Sequence, residues 1–482
     1  MQTKSQPDEI ESFLTDASFI RDGHADRVIL PETIDEVSEV LAGANRDRVP
    51  VTVSGAGTGT VGGRVAFGGI VLATDKLNHI KSIVHEDHGG FAVVEAGVIL
   101  ADLQRAVDQL GLLYPPDPTE RGCFVGGNVA TNASGARTFK YGATRNYIRR
   151  LKIVLASGEV VDLGRGEVRA AVTGKMRIGE SIELTLPDYR LPATRKNASG
   201  YFIAPEMDAI DLFIGSEGTL GVICEIEIRL LPKPEGLLSG VVFFANEADV
   251  LALVADARKR AGARAIEFFD NQSLNFLREK YPTVPSEAVA AIFFEQETNE
   301  ATEEKVLNDW MTLLDQHHAL SDSWFATNEQ DQAKLREFRH QLPVLMNEWF
   351  ARYKQRKVST DMAVPDEAFP GLFHLYKDTL RSSGLRYTIF GHIGDNHVHV
   401  NILPRDDAEG ARARELYVQF LEYAASVGGT LSAEHGVGKL KRDYLRFFYT
   451  DDQLRAMAAV KKALDPNGTL GRGNIFSEDL LS

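Results

Sequence analysis

Ser54-Gly-Ala-Gly-Thr-Gly-Thr-Val-Gly-Gly63 holds five glycines in ten residues. It follows an apolar run, Pro50-Val-Thr-Val53, and contains a literal GxGxxG at Gly57–Gly62. In a doubly wound nucleotide-binding fold such glycines open a helix whose N-terminus carries a pyrophosphate. Here a helix has no room, because Gly69-Ile-Val-Leu-Ala-Thr74 already reads as the next strand. The alternative is a nest, in which consecutive backbone N–H groups face phosphate oxygens and glycine supplies positive φ and close approach. An ordinary flexible turn is the plainer reading of the same residues.

Two further loops shift that balance. Pro115-Pro-Asp-Pro-Thr-Glu-Arg-Gly-Cys-Phe-Val-Gly-Gly-Asn-Val-Ala-Thr-Asn-Ala-Ser-Gly-Ala-Arg137 is long, poor in bulky side chains and rich in backbone donors. Thr119, Asn128, Thr131, Asn132 and Ser134 add uncharged hydrogen-bonding groups. Gly215-Ser-Glu-Gly-Thr-Leu-Gly221 stands just before a strand at Val222–Leu231. Each glycine costs conformational stability, so three such loops point to a large phosphate-bearing ligand lying across a sheet.

Around these loops the first half shows short β-type runs and one N-capped helix from Thr33 to Asn45, with Val37, Val40 and Leu41 on its apolar side. Leu230-Leu-Pro-Lys-Pro-Glu-Gly236 breaks the pattern and marks a domain boundary. Beyond it, strands at Gly240–Phe244, Arg264–Phe269, Ala290–Glu295, Leu385–Phe390 and Val398–Leu403 alternate with helices at Glu247–Ala261, Thr302–His318, Ala333–Arg352 and Glu367–Ser382. That rhythm predicts an α+β domain, an antiparallel sheet covered by helices, with mostly helical chain from Glu415 onward.

The 482 residues suffice for two or more cores. A net charge of −15 argues against general nucleic-acid binding. Cys123 and Cys224 are the only cysteines, too few for a disulfide framework and suited to a reducing, cytoplasmic setting. The N-terminus lacks the apolar stretch of a signal peptide, and no apolar run approaches the ~20 residues of a membrane span.

The strongest chemistry lies in Gly391-His-Ile-Gly-Asp-Asn-His-Val-His399 and Ser432-Ala-Glu-His-Gly-Val-Gly438. A hairpin turning at Gly394-Asp-Asn396 brings His392 and His399 side by side. Glu434 would add an anionic third ligand and leave positions open for water or substrate, with His435 next to it as a base. His397 is a further candidate ligand. The histidines outside this stretch and His435 read as ordinary surface or core groups.

Taken together, the three loops resemble the FAD-binding domain of the vanillyl-alcohol-oxidase superfamily, the PCMH type. The His and Glu-His motifs, with the closing Gly471-Arg-Gly-Asn-Ile-Phe476, are similar to those of the metal-dependent D-2-hydroxyacid dehydrogenases: the D-lactate, D-2-hydroxyglutarate and glycolate-oxidising group. The likeness runs from about Ala25 to Phe476. It implies a two-part PCMH-type FAD-binding domain over 1–233, a substrate or cap domain over 234–430, and a helical segment over 431–482 that returns to the flavin. FAD contacts are then expected from Ser54, Gly55, Ala56, Gly57, Thr58, Gly59 and Gly62 in the first loop. The second loop would contribute Pro116, Asp117, Thr119, Gly126, Gly127, Asn128, Thr131, Asn132 and Gly135, and Glu217, Gly221, Ile223 and Asn474 complete the set. Some members tether FAD through a histidine in the first loop; Ala56 and Gly57 stand there here, so non-covalent FAD is expected.

The same resemblance assigns His392, His399 and Glu434 as ligands of zinc or another divalent ion, ranks His397 as a bystander, and makes His435 the catalytic base. It places Lys357 and one arginine, Arg336 in preference to Arg339, against the substrate carboxylate, and Asn401 near the substrate. It implies oxidation of a 2-hydroxy acid with electrons passing to a quinone, a cytochrome or an electron-transfer flavoprotein, and a possible homodimer peripheral to a membrane. Two alternatives stand beside it: a flavin-binding subunit of a multi-subunit oxidase, and a non-redox transferase on the same flavin scaffold.

Overall fold

The computed structural model describes residues 1–481. The first half is built on two main sheets, with a small antiparallel pair, Lys175–Ile178 and Ile182–Thr185, besides. In the smaller main sheet, the strands run in the order Gln2–Lys4, Arg27–Leu30, Ile70–Ala73, Val51–Ser54. The last three are mutually parallel, and the first pairs antiparallel with the second. The connection between two of the parallel strands is the helix Ile34–Asp47. The Thr33 side chain caps it by accepting from the Glu36 amide, and it turns Val37, Leu41 and Ala44 inward. Between Ser54 and Ile70 the chain forms no helix, as the crowded spacing requires.

The larger sheet is antiparallel, in the order Ile80–Glu86, Gly89–Glu95, Val222–Pro232, Ile148–Val154, Val160–Gly164. Its central strand, Val222–Pro232, shifts register between Ile223 and Glu225. That irregularity lies beside the third glycine-rich loop, where an extra residue re-aims the chain.

The second half is a seven-stranded antiparallel sheet, in the order Trp324–Ala326, Gly236–Phe244, Ala290–Thr298, Ala263–Asp270, Tyr387–Gly391, His399–Ile402, Val358–Ser359. Every residue of Ala263–Asp270 is buried because helices cover both faces. Ile266 and Phe268 pack with Trp310, Phe373 and Val254 on one side, and Phe269 packs with Phe338, Leu342 and Met346 on the other. The first of these cores continues without a break into the flavin-side sheet through Ile226, Leu151 and Val94. The two halves therefore share a packed interior.

Two elements differ from the sequence reading. The second glycine-rich loop contains a short helix, Val125–Ala130. Glycine has low helix propensity, but the Val125 and Gly126 amides are fixed on the carbonyls of Val98 and Ala96, so tertiary contacts override it. The C-terminal part is less helical than expected. The helix Asp407–Ser426 starts before Glu415, and residues 427–441 and 465–477 are loops around the helix Asp451–Leu464.

Candidate active site

The hairpin expected at residues 387–402 is present. Phe390 pairs with His399 and Tyr387 with Ile402, while Asn396 takes φ +53° in the turn. The ligand atoms of His392, His397, His399 and Glu434 lie within 4.8 Å of one another. His399 Nδ1 is 3.0 Å from the Thr360 carbonyl, which can only accept, so that nitrogen carries the proton and Nε2 keeps its lone pair. His392 Nδ1 is 2.7 Å from Glu267 Oε1, which fixes the same tautomer. The two Nε2 atoms face Glu434 Oε2 at 3.2 and 3.7 Å. A histidine held at one nitrogen and open at the other is the usual outer-shell pattern of a metal ligand.

The carboxylate of Glu434 is held in place from the flavin side. Its Oε1 accepts from Ser134 Oγ at 2.7 Å and from Lys196 Nζ at 2.6 Å. Lys196 is almost wholly enclosed, with Asp395 Oδ2 at 3.2 Å and the Gly135 carbonyl at 3.1 Å. Burial works against ionisation of Glu434, but His392 and Lys196 outweigh it and hold its pKa well below the usual range. Burial likewise opposes charge on His392, yet Glu267 and Glu434 raise it to about 9, so a cation bound at Nε2 would displace the second proton there. Both amide atoms of Asn401 and His397 Nδ1 are buried without a hydrogen bond, while His397 Nε2 faces Asp361 Oδ1 at 3.3 Å. Buried polar atoms left without partners beside a donor set of imidazoles and a carboxylate fit a cation and its ligands.

The two arginines separate. The helix Glu329–Tyr353 covers one face of the large sheet and extends both toward it. Arg339 grips Glu267 Oε2 through Nε and Nη2 at 3.0 and 2.9 Å, behind His392. Arg336 reaches only Glu295, at 3.5 Å, and that carboxylate is already held by Arg264 at 2.8 Å. Arg336 keeps 27% of its side chain exposed, against 10% for Arg339. Lys357 is exposed at the start of the strand Val358–Ser359.

On the other side of Glu434 lies a cleft of about 980 Å³, open to solvent. Gly55, Ala56, Gly57, Thr58, Gly59, Gly126, Gly127, Asn128, Thr131, Glu217, Gly221 and Ile223, all expected to contact FAD, line it. A Cβ added at Gly59 or Gly127 would meet nothing of the protein within 4 Å, so the room these glycines leave is for something else. The rest of the expected set is not among the residues that line the cleft. Ser54 and Gly62 pack behind the first loop, on Arg64 and Ile20. The Pro116 carbonyl accepts from Gln104, Asp117 pairs with Arg121 and Arg137, and Thr119 is exposed. Asn132 accepts the Arg145 amide, and Gly135 lies against the Asp117 carbonyl. Asn474 ties the Gly63 and Glu217 carbonyls to Lys439.

His435 lines the same cleft as the glycine loops, and it is the one histidine among the residues that do so. Its neighbour Glu434 belongs to the His/Glu cluster that could hold a metal ion, so a single turn joins the two half-sites.

Comparisons with known proteins give the family. A family model described as FAD binding domain matches residues 25–164, and one described as FAD linked oxidases, C-terminal domain, matches residues 233–475. The chain belongs to the FAD-linked oxidase family. It is 32% identical to the glycolate oxidase subunit GlcD of Bacillus subtilis, over 94% of this chain and 89% of that one. It is 31% identical to a D-lactate dehydrogenase of Anaerostipes hadrus, over 97% and 93%. A D-2-hydroxyglutarate dehydrogenase of Xanthomonas citri pv. viticola is 30% identical, over 99% and 94%. Among solved structures, alkyldihydroxyacetonephosphate synthase shares the fold with a TM-score of 0.69 at 15% identity, covering 98% of this chain and 82% of that one. No helix among the described residues is long and apolar enough to cross a membrane.

Sequence reasoning missed several residues that shape this FAD-linked oxidase site: Ser134 as a partner of Glu434, Lys196, Glu267, Asp361 and, in the cleft, Asp16 and Arg64. Glu267 had a usable signal, a charge set between the apolar pairs Ala265-Ile266 and Phe268-Phe269. Lys196 had none, being one cation in the polar loop Lys196-Asn-Ala-Ser-Gly-Tyr201.

Proposed function

We propose that this flavoprotein oxidises a D-2-hydroxy acid to the corresponding 2-oxo acid. The observation that carries the reading is the shared turn: His435 faces the flavin cleft while Glu434 faces His392 and His399. Residues 1–233 would hold non-covalent FAD and 234–430 the acid, with 431–482 returning the base to the cleft. Bound at these places, FAD supplies the two-electron acceptor and a divalent cation, zinc by the N/O donor set, supplies the Lewis acid that acidifies the hydroxyl.

The chain's own residues do the rest. His392, His399 and Glu434 hold the cation, and His397, buried in the same group, faces Asp361 Oδ1 at 3.3 Å. Arg336 is the freer of the two arginines and takes the substrate carboxylate together with Lys357. Asn401, fully buried with an unpartnered amide, orients the substrate oxygen. Burial, with help from Lys441 and His399, keeps the pKa of His435 below its ordinary value despite Asp361 nearby, so the ring is neutral and able to accept. With Nδ1 turned to Asp361 at 3.3 Å, Nε2 receives the hydroxyl proton as the C2 hydrogen departs with its electron pair. The electrons pass on to an acceptor other than NAD.

Anaerobic mixing of the FAD-loaded, metal-replete protein with D-lactate, D-2-hydroxyglutarate and glycolate tests the reading. At least one acid is expected to bleach the flavin and yield its 2-oxo acid. If none does, the reaction class is wrong.

A further inference from the structure

Asp361 lies two residues beyond the strand Val358–Ser359, and its side chain is fully enclosed. Its Oδ2 accepts from Ser432 Oγ, from the His435 backbone amide at 3.0 Å and from Lys441 Nζ at 2.9 Å. His435 Nδ1 stands 3.3 Å from the same oxygen. The Asp361 carbonyl accepts from the Ala433 amide as well. The residue before it, Thr360, holds His399 Nδ1 through its carbonyl and the Val400 amide through its hydroxyl. Two consecutive residues therefore address the imidazole of a candidate ligand and the turn that carries the candidate base.

Asp361 also falls within ligand distance of His399, Glu434 and His435, which raises the question of whether it binds a cation itself. An ammonium group already neutralises it, Oδ2 is saturated by three donors and Oδ1 stands 3.3 Å from His397 Nε2, so it is poorly suited to that task. The bonds of Oδ2 converge on residues 432–435 and on the ring of His435. A buried carboxylate facing one nitrogen of a histidine fixes both the tautomer and the aim of the other nitrogen.

We propose that Asp361 is the positioning residue for His435, setting the ring's orientation in the flavin cleft from within the cap sheet. This rests on the reading of His435 as the base. The test is a double-mutant cycle of Asp361→Asn and His435→Ala on the holoenzyme. The readouts are FAD content, metal content, acid binding and the rate of flavin reduction at saturating acid. Asp361→Asn is expected to keep FAD, metal and acid binding while slowing reduction roughly 10- to 100-fold, the range for lost outer-shell partners. In the His435→Ala background the same change should cost nothing further. An equal cost in both backgrounds, or no cost in the wild type, overturns the proposal. Wild-type reduction by His435→Ala alone would instead sink the reading of the base. Should Asp361→Asn fail to fold, Ser432→Ala removes one of the three bonds to Oδ2 and is expected to show the same dependence on His435 with a smaller loss; an equal loss in both backgrounds again contradicts the proposal.

Discussion

The chain Arg339–Glu267–His392 shows how a single residue can support the site without touching a substrate. Glu267 is fully enclosed, and Arg339 and His392 overcome the burial penalty and keep it ionised. It holds His392 in the tautomer that leaves Nε2 for a metal. Glu267→Gln is expected to weaken divalent-metal affinity roughly 10- to 100-fold while leaving FAD bound. Competition with a chromophoric chelator measures this, and unchanged affinity would show that Glu267 is only a structural partner of Arg339. At this scale the sequence was partly legible. His392, His399, Glu434 and His435 stand out because they cluster beside glycines and a tight Asp-Asn turn. Their partners Glu267, Lys196 and Asp361 are isolated residues 74 or more positions from His435, brought close only by the sheet order.

At the scale of elements, the turn from Ser432 to Gly438 is clamped by two buried carboxylates. Asp361 binds its start from the cap sheet, and Glu217 binds its end through the Val437 and Gly438 amides at 2.8 and 2.7 Å. Glu217, expected to touch the cofactor, thus spends both oxygens on backbone. Gly438 has φ +52°, and a Cβ there would stand 2.3 Å from the Val61 carbonyl oxygen. Gly438→Ala is expected to destabilise the fold by at least ~1–2 kcal/mol from the left-handed backbone alone. It should also slow flavin reduction with metal retained. Thermal unfolding measures the first effect, and a wild-type melting temperature would contradict it. The first glycine loop was legible for a related reason. Gly57 and Gly62 have φ +80° and +76°, and Gly59 borders open space, so the GxGxxG spacing serves a turn and a cavity with no helix behind it. The helix Val125–Ala130 was not legible, because its stabilising contacts come from residues 96 and 98.

For the whole molecule, the flavin-side sheets and the cap share one core, and the groups at their junction couple stability to pH. Burial raises Glu217 from 4.5 to about 7, against the pull of two amides and of Lys441 and Lys439. Between those values the folded protein keeps a proton that the unfolded chain has lost. This group therefore favours the fold at low pH, and its contribution is lost as pH rises through about 7. Across that window the melting temperature of the wild type should fall relative to that of Glu217→Gln. Parallel curves for the two proteins would show that Glu217 does not titrate in this way. The division into a glycine-looped half and an antiparallel cap was visible in the sequence, since periodicity and proline breaks report local structure. How the closing turn spans both halves was not, because that depends on contacts between residues such as Ser134 and Glu434, 300 positions apart.

The central claim is that a metal held in the cap governs reduction of a flavin held in the other half. Anaerobic flavin reduction by an active D-2-hydroxy acid, followed before and after removal of the metal by a chelator, tests it most directly. The account predicts that the chelated protein keeps its FAD, loses reduction, and regains it when a divalent cation is restored. Reduction at an undiminished rate in metal-free protein would contradict it.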